Sequence, residues 1–566
     1  MSTSVGAAGS LIDSITPAKP LPGTGASARP DPRKYKSYEY AEAGKSLRLT
    51  VPARRFRYPK AETAFNMQAW WFARGPAVPY RLRRFRMECL RASVSALITL
   101  SLVAPVPWSP RAASDEQPAR PNVLFIAVDD LNHWVHYLHR NDQVRTPNLD
   151  RLAKRGVRFT HSYCAAPVCN PSRAALMSGR LPSSSGVYDN STDWRQFISQ
   201  DQPLTTHFRA NGYRVIGAGK IYHDAYPRPG EWDEYMPPAG GDPKPHGKDT
   251  GVGGIKFAPL DCRDEDMNDY RIVSWTIKQL QKHHDRPFFL ACGVRKPHMP
   301  WNVPRKYYDL YPLETVRLPP VLDTDLDDVP PVGVQMARPQ GDHAAIVKSG
   351  RWKDAVQGYL AAISFTDVNI GRLIDALDQS PYKDNTIIVL WGDHGWHLGE
   401  KLHWRKFTLW EEATRAPLIW VVPGLTKAGS VCERTVDFMS IYPTLCDLCG
   451  LVTPKHVEGV SFRTLLARPD APWDRPARTT YLYNNHTVRT EKWRYIRYHD
   501  GGEELYDEVK DPLEWTNLAQ KPEFAEIKKE LAKHLPMVNQ KAPRGSLGDG
   551  DMRPPDKRQA FEREAD

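Results

Sequence analysis

Cysteine is scarce. Eight in 566 residues are too few to build a chain of this size around disulfides, although an exported protein would accommodate a bridge or two. The one C-x-x-C, Cys446-Asp447-Leu448-Cys449, has no second pair with which to hold zinc. It lies inside an apolar helical run, Ile441 to Leu451, and reads as core packing. There is no internal repeat. The apolar run Ala92 to Val106 is shorter than the roughly 20 residues a membrane helix needs, so no stable membrane span is expected. Excess charge is also missing from the body of the chain. Of 77 Lys+Arg and 66 Asp+Glu, residues 1–120 hold 19 and 8, leaving 58 of each beyond them. The basic balance is a property of the leader, and no nucleic-acid partner is implied. The chain as a whole is 41% hydrophobic and 10% aromatic, enough for a large core.

The leader has a pattern of its own. Arg81, Arg83, Arg84 and Arg86 precede Met87, the apolar run follows Arg91, and Ala112-Ala113 come after it. A charged region, an apolar region and small residues describe a secretory signal peptide. The expectation is that translation begins at Met87, that 87–113 is the signal peptide, and that 1–86 is a spurious or disordered extension. The product is then exported, periplasmic or secreted, or lysosome-like in a eukaryote. Residues 541–566 are polar and expected to be a disordered tail.

Four apolar runs share one grammar: each ends in a polar cluster. Asn122 to Val128 leads to Asp129-Asp130, and Tyr213 to Ala218 to Gly219-Lys220 with His223 beyond. Pro287 to Val294 leads to Lys296-Pro297-His298, and Thr386 to Trp391 to Gly392-Asp393-His394. Unbroken apolar runs predict strands buried on both faces, hence an α/β fold with a large, mostly parallel sheet sandwiched by helices. Helices are expected over Pro147 to Arg155 and Gln357 to Leu377. Ligands of such sheets bind beyond the carboxyl ends of the strands, where all four clusters fall. Residues 119–465 are read as the catalytic domain, with a long surface excursion from Tyr311 to Asp342. Residues 466–540, with short β-like runs such as Thr479 to Tyr483 and Trp493 to Tyr498, are read as a small antiparallel subdomain.

The most telling stretch is Cys169-Asn170-Pro171-Ser172-Arg173. Pro171 suits a first helical turn and Arg173 to Met177 favours helix, so Cys169 is placed at a positive helix end with a cation one turn inside. That is a site for an oxyanion. Asp129, Asp130 and Asp393 crowd carboxylates that repel one another unless a cation joins them. Oxygen ligands favour calcium or magnesium, while His394 keeps zinc or manganese open. Arg173, Lys220, Lys296 and Lys406 would complete an anion pocket, with His223 and His298 able to transfer protons. His403 and Trp404 are weaker candidates for the same mouth.

Cys169-x-Pro171-x-Arg173 resembles the signature of type I, formylglycine-dependent sulfatases of the alkaline phosphatase superfamily. The chain is most similar there to iduronate-2-sulfatases. Asn122 to Asp130, Gly219 to His223, Lys296 to Pro300 and Gly392 to Trp396 carry the resemblance, with Glu503 to Asp507 and Glu514 to Leu518 near the end. Ser178 replaces a usual threonine. The resemblance implies an alkaline-phosphatase-like fold and a sulfuric ester hydrolase acting on a sulfated saccharide. It implies oxidation of Cys169 to formylglycine by a formylglycine-generating enzyme, and one Ca2+, with Mg2+ or Mn2+ less favoured, on Asp129, Asp130, Cys169, Asp393 and His394. Arg173 would then steady the formylglycine, Lys220 and Lys406 the sulfate, and His298 would be the acid toward the leaving alcohol, with His223 near the aldehyde hydrate. The rivals are a phosphate or phosphonate monoester hydrolase of the same superfamily and a catalytically silent sulfated-glycan-binding protein.

Overall fold

The computed structural model describes residues 120–541 apart from 225, 248 and 249, together with the backbone of an antiparallel strand pair, Tyr35–Glu42 with Lys45–Pro52. Apart from that strand pair and residue 541, the start site, signal peptide and tail expected over 1–113 and 541–566 lie outside the described residues.

The main sheet has eight strands: β1 Asn122–Val128, β2 Val157–Tyr163, β3 Arg214–Gly219, β4 Glu234–Tyr235, β5 Phe288–Val294, β6 Thr386–Gly392, β7 Leu418–Val421 and β8 Ser430–Asp437. Their order is β8-β2-β7-β6-β1-β5-β3-β4, and β7 alone runs antiparallel to its neighbours. The four expected strands are the adjacent β6, β1, β5 and β3, all parallel. Alternation explains their unbroken apolar character. Leu124, Ile126 and Val128 face one core with Ile388 and Leu390. Val123, Phe125 and Ala127 face the other with Val389 and Trp391. Each such side chain contributes roughly 1.5–3 kcal/mol when fully buried.

Helices α1 Pro147–Ala153, α2 Cys169–Ser178, α3 Asn268–Leu280 and α4 Trp352–Asp378 flank the sheet. Helix α4 is buried all round from Gly358 to Asp367, and over its last turns Ile370, Leu373, Ile374 and Leu377 keep helical spacing on the core. A second sheet, Ala477–Thr480, His486–Arg489, Trp493–Arg497 and Glu503–Asp507, is antiparallel throughout. The excursion expected from Tyr311 to Asp342 is partly helical: Pro331–Ala337 is a helix whose Val332 and Met336 pack with Ile496, Tyr498 and Tyr506. Pro330-Pro331 reads as a breaker in the sequence, yet proline at a first helical position is tolerated.

Candidate active site

Each parallel strand of the central four delivers at least one residue of its polar cluster to the same place. Past β1, the N–H of Asp129 donates to Val294 O at 3.2 Å, and that of Asp393, past β6, to Val128 O at 3.0 Å. Asp130 has a left-handed backbone, φ 57°, which costs energy in a non-glycine residue. Two contacts hold it: its N–H donates to Asp393 Oδ1 at 2.9 Å, and Tyr359 Oη donates to its carbonyl at 2.8 Å. Tyr359 also accepts from the Asn132 N–H at 3.0 Å. At the end of β3, Gly219 is left-handed at φ 73°, and a Cβ there would lie 2.0 Å from Gly293 O. That close approach lets the Lys220 N–H reach the same oxygen at 2.9 Å.

Cys169 is the first residue of α2 and is fully buried. Its Sγ lies 3.3 Å from His394 Nε2 and 3.0 Å from Lys406 Nζ, and faces Asp130 Oδ1 at 3.8 Å. Burial pushes the thiol well above its ordinary range despite Lys220 and Lys406 nearby. The group is therefore a neutral thiol, whereas a working cysteine nucleophile needs a depressed pKa.

Arg173, one turn into α2, is also fully buried. It donates from Nε to Asp393 Oδ2 at 2.9 Å, from Nη2 to Asp129 Oδ1 at 3.1 Å, and from Nη1 to the carbonyls of Lys220 and, at 3.2 Å, Ile221. Lys220 Nζ donates to Asp129 Oδ2 at 2.6 Å, and Lys406 Nζ to Asp130 Oδ1 at 2.8 Å. Burial alone would raise Asp129, but Lys220 and Arg173 hold its carboxyl well below the usual range. Asp393 goes the other way: burial raises it against His394 and Arg173. His223 is buried and its ring is driven down to about 3 by burial and then Lys220, so it is neutral.

His298 is about one-fifth exposed and its Nε2 lies 3.9 Å from Asp130 Oδ2. Its Nδ1 faces Met299 O at 2.5 Å and so is a donor, which leaves Nε2 as the atom that exchanges a proton. Lys296 is oriented differently: its Nζ donates to Pro300 O at 2.5 Å and sits 3.3 Å from Asp242 Oδ2, partners outside the carboxylate cluster. His403 is buried between Ala337 O and Lys406 O, each at 2.6 Å. It anchors the backbone of Lys406 rather than lining the mouth.

The donor set fits a divalent cation. His394 Nδ1 faces Gly395 O at 3.0 Å, which turns the Nε2 lone pair toward Asp130 Oδ1 at 3.3 Å and Asp393 Oδ2 at 3.6 Å. Asp130 Oδ2 is buried without a hydrogen bond. Ligand atoms of Asp129, Asp130, Cys169 and His298 lie within 4.8 Å of one another, as do those of Cys169, Asp393 and His394. Facing electron-rich atoms at these separations repel unless a cation joins them.

Two supports escaped sequence reasoning. Tyr359 lies mid-helix and nothing local marks it. Ser172 Oγ donates to Asp393 O at 2.5 Å, and only its place inside the Cys169 motif hinted at it.

A family model described as Sulfatase matches residues 121–451, and one described as N-sulphoglucosamine sulphohydrolase, C-terminal, matches 392–541. A protein named sulfatase from Formosa agariphila is 40% identical over 447 residues, covering 74% of this chain and 87% of that protein. Human iduronate 2-sulfatase is 30% identical over 399 residues, covering 61% and 72%. Among solved structures, a phosphonate monoester hydrolase of Agrobacterium radiobacter superposes with a TM-score of 0.63 at 22% identity, covering 74% of this chain and 95% of the other. A complex with its substrate D-glucosamine-2-N,6-O-disulfate superposes at 0.60 and 22% identity, covering 73% and 96%. At that identity these two share the fold.

Proposed function

This chain belongs to the sulfatase family, and we propose that it removes sulfate from a sulfated carbohydrate through an aldehyde made from Cys169. The observation that carries the reading is the placement of Cys169: a buried thiol at a helix start, its Sγ 3.0 Å from Lys406 Nζ and 3.3 Å from His394 Nε2. Such a thiol is a poor nucleophile in the best-equipped place in the molecule. Its conversion by a formylglycine-generating enzyme in an exporting host resolves the contradiction, since the hydrated aldehyde supplies a hydroxyl nucleophile and a second hydroxyl whose deprotonation releases sulfate.

Asp129, Asp130, Asp393, His394 and the modified residue 169 would hold a divalent ion, calcium by the preponderance of carboxylate oxygens. Bound there, the ion withdraws charge from the sulfate oxygens. The chain's own groups do the rest. Arg173 fixes Asp129 and Asp393 in register with α2. Lys220 and Lys406, already beside the nucleophile position, neutralise the equatorial oxygens as charge develops. His223 is neutral and accepts a hydrogen bond near the hydrate. His298, with Nε2 toward Asp130 and a partly exposed ring, delivers a proton to the leaving alcohol. Lys296 joins them only if a substrate draws its Nζ from Asp242. We read 119–465 as the part that supplies the site and 466–540 as a subdomain packed against it, an assignment supported by the Thr480 N–H donating to Ala165 O at 2.9 Å.

The test compares kcat/KM for aryl sulfate, aryl phosphate and a panel of sulfated saccharides in one preparation. Preference for sulfate, with saccharide turnover, is expected. Preference for phosphate would overturn the reading in favour of the phosphate or phosphonate monoesterase rival.

A further inference from the structure

Beyond His223 the chain rounds the edge of the main sheet and, with Arg295, encloses an open cavity of about 420 Å3, inside the roughly 300–1,000 Å3 range of small-molecule sites. Apart from His223, its wall has no part in the chemistry above. We propose that this cavity is the subsite for the sugar ring of the leaving alcohol, with Tyr235 offering ring surface and Asp224 and Arg295 binding its hydroxyls. The proposal rests on the carbohydrate reading above.

Three observations support it. First, the aromatic groups present carbon rather than polar atoms. Tyr235 Oη donates to Gly219 O at 2.5 Å and Tyr222 Oη to Glu231 Oε2 at 2.6 Å, so both hydroxyls are taken. Tyr235 is exposed and is backed by the buried Trp232, their ring centroids 4.8 Å apart. A sugar's C–H face packs on such a surface through burial of apolar area. Second, the polar groups left over are of both signs. Arg228 is committed, its guanidinium stacked 4.4 Å over Trp194 and donating to Ile198 O at 2.7 Å. Asp224 and Arg295 pair at 2.5 Å with side chains 45% and 40% exposed. An acceptor and a donor side by side at an open mouth suit vicinal hydroxyls, whereas a second anionic group would be attracted to one partner and repelled by the other.

Third, the cavity borders the reacting centre through His223. Gly219 and His223 are on its wall and flank Lys220, whose Nζ holds Asp129 at 2.6 Å. His223 is only 7% exposed, and its Nδ1 has no hydrogen-bond partner. A buried unpaired ring nitrogen costs free energy unless a ligand supplies the missing bond.

The test is the double variant Asp224→Ala/Arg295→Ala, in a partly exposed pair whose loss the fold should tolerate. kcat/KM is measured on 4-nitrophenyl sulfate and on a panel of sulfated saccharides. Expected is a drop of roughly tenfold or more on the saccharides, mostly in KM, with aryl sulfate turnover held within about twofold. Undiminished saccharide turnover overturns the subsite, and so does a parallel fall on both substrates. A wild type that cleaves aryl sulfate but no sulfated saccharide overturns the carbohydrate reading and, with it, this one.

Discussion

Arg173→Lys is the substitution on which the electrostatic account of the site stands most exposed. Arg173 bridges two buried carboxylates, Asp129 and Asp393, and two backbone carbonyls, all from one planar group. A lysine keeps the charge but is a single point, unable to satisfy both carboxylates and both carbonyls at once. Hydrogen bonds to charged groups are worth about 1.5–3 kcal/mol each, and leaving one partner of a buried pair uncompensated costs about 3–5 kcal/mol. With one carboxylate retained, the expected destabilisation is on the order of 3–5 kcal/mol, read as a shift in denaturant midpoint at unchanged m-value. The matched control is Arg155→Lys, whose pair with Asp378 at 2.8 Å is partly exposed; such pairs are worth about 1 kcal/mol or less. Aryl sulfate kcat should fall with Arg173→Lys because Asp129 and Asp393 lose their common brace. A loss under about 1 kcal/mol with kcat unchanged would refute the bracing role.

Other consequences follow from the same packing. Burial, then repulsion from Glu412, raises Glu400 from 4.5 to about 8. The folded state keeps a proton that the unfolded chain gives up, so stability falls as pH rises through that interval; Glu400→Gln should flatten the slope in thermal unfolding, and equal slopes would contradict it. Tyr359→Phe strips partners from Asp130 O and the Asn132 N–H and should cost about 1–3 kcal/mol in urea unfolding; an unchanged midpoint would show that the left-handed Asp130 is held without it. EDTA treatment should lower the melting temperature, and calcium at a hundredfold above its Kd should restore about 2.7 kcal/mol. A melting temperature indifferent to both would remove the metal from the account.

The central four strands were legible because burial on both faces leaves no polar residue to interrupt them, and β1 runs from Asn122 to Val128 as read. The outer strands were not. In β2, Arg158, Thr160 and His161 break the apolar pattern, and β8 is largely polar. Residues that touch Cys169 were legible because their chemistry is concentrated at strand ends. What fixes those residues was hidden, since Tyr359 acts from another element 229 residues away. The orientation of Lys296 toward Asp242 also depends on a contact between distant parts of the chain. Cys446 and Cys449 are free and buried in the second core, as the apolar surroundings of their motif suggested. Asn485, in an Asn-x-Thr triplet, is buried with its amide donated to Tyr481 O and Tyr483 O at 3.0 Å, so it offers no acceptor for a glycan.

The most direct test of the central claim is peptide mass spectrometry across Cys169 on protein made with a formylglycine-generating enzyme, paired with turnover of the same fractions. The account predicts replacement of the thiol by an aldehyde, seen as loss of H2S and gain of oxygen, with aryl sulfate turnover proportional to the converted fraction. Full turnover by protein that retains the Cys169 thiol would contradict it.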